Sequence, residues 1–163
     1  MQAILRTCID IEERVGDIYQ QLVKHPEAND ELRDIWQEMA DDERRHAQRI
    51  RLVEERFTKA GVLECRLSLT DVQELLGRAE EILLDAQEGH LTVEEAVYAS
   101  VELEDAFMKA HLGYAKSGNQ PDLQTMFKSL AEADREHTAR LKSYLTRMHD
   151  GDGLVFGEGE DAP

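Results

Sequence analysis

The sequence predicts an all-α protein, a four-helix bundle with one long crossover. Three observations predict it. Four segments carry apolar residues at the three-and-four spacing of a helix. Short breaks divide the first segment from the second and the third from the fourth, whereas a long stretch divides the middle two. The second half of the chain also repeats the layout of the first.

Taken in order, the first segment, about residues 2 to 24, places Leu5, Cys8, Val15, Tyr19 and Leu22 on one stripe. "HPEAND" ends it, with Pro26 and Asn29 as stop and start signals. The second, about 30 to 58, stripes Leu32, Ile35, Met39, Ile50 and Val53. In the long connection that follows, about 59 to 92, "DVQELLGRAEEILLDAQE" reads as a short, weaker extra helix. The third segment, about 93 to 116, stripes Val97, Val101, Met108 and Ala115, behind a capping box of Thr92 and Glu95. "SGNQP" closes it, and the fourth, about 122 to 148, stripes Leu123, Met126, Leu130, Leu141 and Tyr144. Short links make each flanking pair of helices antiparallel neighbours, and the long link returns the third helix to the starting end.

The chain reads as one domain, residues 1–148, followed by an acidic, glycine-rich tail, 149–163, that is expected to be disordered. Its 19 basic and 35 acidic residues give a formal charge of -16, which argues against nucleic-acid or anionic-membrane partners and suits the handling of cations. Cys8 and Cys65 stand too far apart for a CxxC pair, excluding a zinc ribbon, a rubredoxin-type iron site and a thioredoxin-type redox pair. The opening "MQAILRTCIDIEERV" becomes charged too early for a signal peptide. No apolar run approaches the roughly 18 residues that span a bilayer. A soluble, cytoplasmic protein is expected.

Each apolar stripe is interrupted. In the second segment the series 32, 35, 39, 43, 46, 50, 53 reads Leu, Ile, Met, Glu, His, Ile, Val, so Glu43 and His46 sit on the seam that faces the core. In the fourth, the series 123 to 144 puts Asp134 and His137 at the same level. Glu12 lies between Cys8 and Val15 on the first stripe, and Glu104 between Val101 and Met108 on the third. Helical residues three apart differ by about 60° in direction and roughly 4.5 Å in rise, so a carboxylate and an imidazole so placed can converge on one ion. Left unpaired in a core, such charges cost several kcal/mol each. Two divalent cations would neutralise four carboxylates, and neutral imidazole supplies nitrogen donors.

A single Glu-x-x-His in so acidic a chain is commonly an accident of composition, and the inner charges of a bundle can also pair with one another. The internal repeat separates these readings. Residues 31–51 align without gaps on 122–142, with Leu32, Ala40, Arg44, His46 and Arg49 meeting Leu123, Ala131, Arg135, His137 and Arg140. Glu43 meets Asp134, and "IDIEERVGDIY" aligned on "VELEDAFMKAH" brings Glu12 to Glu104. A duplicated helix hairpin with pseudo-twofold symmetry accounts for this pattern.

A Glu, a Glu-x-x-His, a second Glu and an acid-x-x-His on four successive helices resemble the ferritin-like di-iron carboxylate superfamily. Glu12 and Tyr19 in an E-x6-Y spacing, the T-x-x-E opening of the third helix and the duplication look most like its rubrerythrin-like branch, lacking the rubredoxin domain. The resemblance covers about residues 4 to 146. It implies a ferritin-like bundle holding two iron ions, with Glu12 and Glu104 as terminal ligands, Glu43 and Asp134 as bridges, and His46 and His137 completing the set. It also implies an oxidoreductase that reduces peroxide or dioxygen or oxidises ferrous iron, a homodimer, and a separate electron-donor protein. The alternative is a non-redox metal-binding or iron-handling module, and the donor set suits Mn or Zn as well as Fe.

The sequence departs from the family pattern at three places. Asp134 stands where a Glu is expected, Phe107 where full rubrerythrins carry a further glutamate, and His111 where symmetry with Tyr19 calls for a tyrosine. Tyr19 and His111 are candidates to hydrogen-bond the inner carboxylates. Asp134, shorter than Glu by about 1.5 Å of reach, is expected to leave the His137 ion the more weakly bound. Cys8 reads as a small core residue, Trp36 as core or dimer packing, and His25, His90 and His149 as loop residues. "GLVF" in the tail reads as plain tail.

Overall fold

The structure, a computed structural model, describes residues 2–60, 69–117 and 120–152. Five helices follow one another: α1 (Gln2–Leu22), α2 (Asp30–Ala60), α3 (Leu69–Glu88), α4 (Val93–Ser117) and α5 (Pro121–Asp152). Four match the predicted stripes. The crossover helix, expected to be short, is the full 20-residue α3, packed on α1 and more lightly on α4. Leu69 and Thr70 add to its predicted start, and Val72, Ala79 and Leu83 are its buried face. α5 runs to Asp152, past the expected boundary at 148, so His149 belongs to its last turn rather than a loop. Its Nε2 lies 2.9 Å from Glu94 Oε1 on α4. Cys65 and residues 153–163, including the "GLVF" stretch, lie outside the described residues.

The helix ends follow from local chemistry. Asn29 Oδ1 accepts the Leu32 N–H at 2.9 Å and caps α2. At α4, Glu95 N–H donates to Thr92 Oγ1 (3.2 Å) while Thr92 N–H donates to Glu95 Oε2 (2.9 Å), the reciprocal capping box. Pro121 opens α5, where its missing N–H is no loss. Gly89 closes α3 with φ of 70°, a conformation that disfavours a side chain.

Antiparallel packing is visible in the cross-helix pairs. Arg6–Glu54, Arg51–Glu13 and Gln20–Gln37 run in opposite senses along α1 and α2. Lys142–Asp105 and His149–Glu94 do the same for α4 and α5. These exposed pairs fix register more than they stabilise. The core is the set of predicted stripes: Leu5, Cys8, Val15 and Leu22 of α1, Leu32, Met39 and Ile50 of α2, Val97 and Leu103 of α4, Leu123, Leu130 and Leu141 of α5. Trp36 is fully buried, and its indole N–H donates to Ser100 Oγ on α4 at 3.1 Å, so it is core. Among the described residues no helix is long and apolar enough to cross a membrane.

The Thr92–Glu95 box yields a simple test of the third stripe's start. Thr92→Ala should lower unfolding stability by about 1 kcal/mol, and Thr92→Ser by much less, since serine keeps the capping oxygen. Equal losses in denaturant melts of the two variants would show that the methyl, not the cap, matters.

Candidate metal centre

The interruptions in the four stripes meet at one level of the bundle. α1 contributes Glu12 and Tyr19, α2 Glu43 and His46, α4 Glu104 and His111, and α5 Asp134 and His137. The four carboxylate residues and three histidines are all buried, from 0% exposed at Glu104 to 3% at His46. Apart from Ser100 and Thr138, they are all the buried polar or charged residues among those described. The helical spacing explains the placement: an apolar heptad position filled by an ionisable residue has no route to solvent.

Within the cluster, two groups of donors lie close enough to share an ion: Glu12, Glu43 and His46, and Glu43, Glu104 and His137, with donor atoms of each group within 4.8 Å of one another. Glu43 belongs to both. Its Oε2 is 3.1 Å from His46 Nδ1, and its Oε1 is 3.6 Å from His137 Nδ1. His46 Nδ1 also lies 3.4 Å from Glu12 Oε2, and His137 Nδ1 lies 3.2 Å from Glu104 Oε2. The two rings face each other with centroids 6.5 Å apart. Both histidines thus turn the same ring atom toward the shared carboxylate.

Asp134 occupies a different place. It is buried with the others but belongs to neither three-donor group; its Oδ2 lies 2.7 Å from His111 Nδ1. The other nitrogen of that ring, Nε2, is 3.0 Å from Glu12 Oε1. Tyr19 donates its hydroxyl hydrogen to Glu104 Oε1 at 2.6 Å, the role read for it from sequence. Sequence reasoning missed Asp42. This half-buried carboxylate on α2 lies 3.2 Å from His137 Nε2 and is held by Arg45. The available signal was its place directly before Glu43, with Ala133 as its counterpart in the repeat. A carboxylate on the outer nitrogen of a ligating histidine fixes ring orientation and raises its basicity.

The electrostatics are those of a buried acidic cluster that draws positive charge to itself. Burial, with the nearby charges of Glu104 and Glu12, pushes the Glu43 carboxyl well above its usual range, and burial pushes Glu104 up as well. Burial also acts to raise Glu12, but the hydrogen bonds from His111 and His46 outweigh it and hold Glu12 low. Burial alone would lower the histidines, yet the carboxylates around them prevail. Glu12 and Glu43 lift His46 to about 11, Asp134 and Glu12 lift His111 to about 10, and Glu104 and Asp42 raise His137. Without metal, protons supply the positive charge that the carboxylates demand. The donors fit two divalent first-row cations: hard oxygens, borderline imidazole nitrogens, no thiolate, and four carboxylates to neutralise.

A pH dependence of the metal-free protein follows from these shifts. Glu43 and Glu104 keep protons in the fold that the unfolded chain gives up above its ordinary 4.5. His46 and His111 keep theirs from the ordinary 6.5 up to about 11 and about 10. The folded state therefore binds more protons, and stability is lost as pH rises. The depressed Glu12 acts oppositely, but only below the ordinary 4.5. Thermal melts of metal-free protein should fall steadily between pH 6.5 and 10. A melting temperature that holds or climbs across that window would mean the cluster is not buried as described.

Comparison with known proteins bears on this geometry. The family model described as Rubrerythrin matches residues 3–143, from the first turn of α1 through most of α5. No curated protein and no solved structure gives a significant match.

Proposed function

The chain belongs to the rubrerythrin family, and from that premise we propose that its buried cluster is a di-iron centre that reduces peroxide or dioxygen or oxidises ferrous iron. One ion would be held by Glu12, Glu43 and His46, the other by Glu43, Glu104 and His137. The observation that carries this reading is Glu43, whose two oxygens each face a different histidine Nδ1 in a space closed to solvent. A carboxylate so placed is suited to two cations at once. Iron bound there supplies two electrons to an oxidant.

The chain's own residues set the conditions for that chemistry. Tyr19 holds Glu104 Oε1 and fixes the carboxylate's rotation. Asp42 accepts the outer His137 proton and leaves Nδ1 free to face inward. Leu103, Met39, Leu130 and Leu141 are fully or almost fully buried on the same helices and keep bulk water from the donors. Exclusion of water strengthens each charge interaction inside. Electrons for repeated turnover would come from a donor outside this bundle, a separate protein in the reading we propose. A homodimer is the assembly we propose on family grounds.

The test is rapid mixing of ferrous-loaded protein with hydrogen peroxide. The expected result is a ferric absorbance change faster than that of free ferrous iron at the same concentration. A trace identical to the free-iron control would move the reading to a metal-binding module without turnover. Substitutions separate the two positions. Glu104→Gln should weaken one ion and Glu43→Gln both, each beyond the roughly tenfold lower bound seen when a mere outer partner of a ligand is removed. Equal retention of both ions by Glu43→Gln in metal titration would remove Glu43 from the site.

A further inference from the structure

Within the buried polar layer the two halves of the repeat disagree at two positions, and the disagreements touch. Tyr19 of α1 corresponds to His111 of α4, and Glu43 of α2 to Asp134 of α5. His111 Nδ1 and Asp134 Oδ2 are 2.7 Å apart. In the other half, Tyr19 gives its one hydroxyl hydrogen to Glu104, while Glu43 turns an oxygen to each of His46 and His137. The departure from tyrosine and the departure from glutamate are thus in direct contact.

Physical reasons link them. Asp134 is 1% exposed, so its oxygens must find partners inside the protein. It is shorter than Glu by about 1.5 Å, and metal–oxygen distances tolerate only about 0.2 Å of error. Glu12, Glu43 and Glu104 all fall within the three-donor groups, and Asp134 does not. The imidazole of His111 meets it instead. Two nitrogens on one ring edge reach two carboxylates on different helices, Asp134 at 2.7 Å and Glu12 at 3.0 Å. A tyrosine, with a single hydroxyl at the tip of its ring, has one such contact to give. Phe127, with its ring centroid 5.8 Å from that of His111, backs the imidazole with apolar surface.

We propose that His111 and Asp134 are a matched pair, in which the imidazole holds the short carboxylate beside the metal positions and out of the bridging role, leaving Glu43 as the one carboxylate shared by both ions. His111 is then a positioning residue that acts through Asp134 and Glu12. The ions would then be held by Glu12, Glu43, His46, Glu104 and His137, with Asp134 outside that set. This proposal rests on the two-metal reading and specifies its ligand set.

Titration of metal-free protein with Co(II), followed by stoichiometry and by visible absorption, tests it. The intensity of that absorption falls as coordination number rises, so it reports an added bridge. Asp134→Asn keeps shape and a hydrogen-bond acceptor for His111 but cannot bridge as a charged carboxylate. It should bind two Co(II) with the wild-type spectrum and an affinity loss below the roughly tenfold lower bound for losing an outer partner. His111→Tyr should strip Asp134 of its partner and weaken binding by roughly 10- to 100-fold. The double variant His111→Tyr/Asp134→Glu, which copies the other half, should regain affinity and show weaker absorption than wild type. Loss of an ion in Asp134→Asn, or a double variant that merely adds the losses of His111→Tyr and Asp134→Glu, would overturn the pair while leaving two metals in place. Wild-type protein that takes up fewer than two Co(II) would overturn the two-metal reading itself, and the pair with it.

Discussion

Four carboxylates and three imidazoles buried at one level of a helical bundle set the terms for the rest of this structure. None of them is more than 3% exposed, and each like-charged neighbour raises the cost of ionising the next. Such a cluster exists only if positive charge enters with it, as protons or as metal. Every surrounding contact serves that end: Tyr19 on Glu104, Asp42 on His137, His111 between Glu12 and Asp134. The apolar stripes above and below, from Leu5 to Ile50 and from Val97 to Leu141, supply the stability against which the charged layer is held.

Much of this was legible in the sequence because helices convert spacing into direction. Glu43 and His46 interrupt an apolar series with a fixed angular offset, so their inward aim follows from the neighbours Met39 and Ile50. The repeat then places Asp134 and His137 at the same level by alignment alone. The caps were equally local: Thr92 with Glu95, and Asn29 ahead of α2, use contacts three residues apart. α5 outran its expected end because the apolar stripe stops near Tyr144 and Leu145 while the helical backbone continues to Asp152. α3 was underrated because its stripe is mixed, with Leu84 exposed and only Val72, Ala79 and Leu83 fully covered.

What escaped was contact between helices. Periodicity gives the face a residue occupies, but not the rotation and axial offset of one helix against another. Asp42 sits one position from the seam, where a sequence reading assigns solvent, yet the packing of α2 on α5 brings it to His137 Nε2. His111 was marked as a departure from tyrosine and a candidate to hydrogen-bond an inner carboxylate, but its two partners were not legible. Its two contacts, separated from it by many residues in opposite directions along the chain, depend on α1, α4 and α5 together. Membership of the rubrerythrin family adds the metal to this picture, while the hydrogen bonds specify what is particular to this chain.

Those particulars make the surroundings of the two halves unequal, in a direction opposite to the one that side-chain reach suggests. Judged by length, the short Asp134 leaves the His137 position the poorer one. The outer contacts weigh the other way. His137 has Asp42 on its far nitrogen, and its companion Glu104 is fixed by Tyr19, whereas the repeat offers His46 only Ala133 where Asp42 would stand. Outer carboxylates of this kind govern affinity by about one to two orders of magnitude. The His46 half keeps one outer contact to its ligands, His111 on Glu12, and that ring is already shared with Asp134. The duplicated hairpin has thus diverged into one position braced from both sides and one braced by a single imidazole.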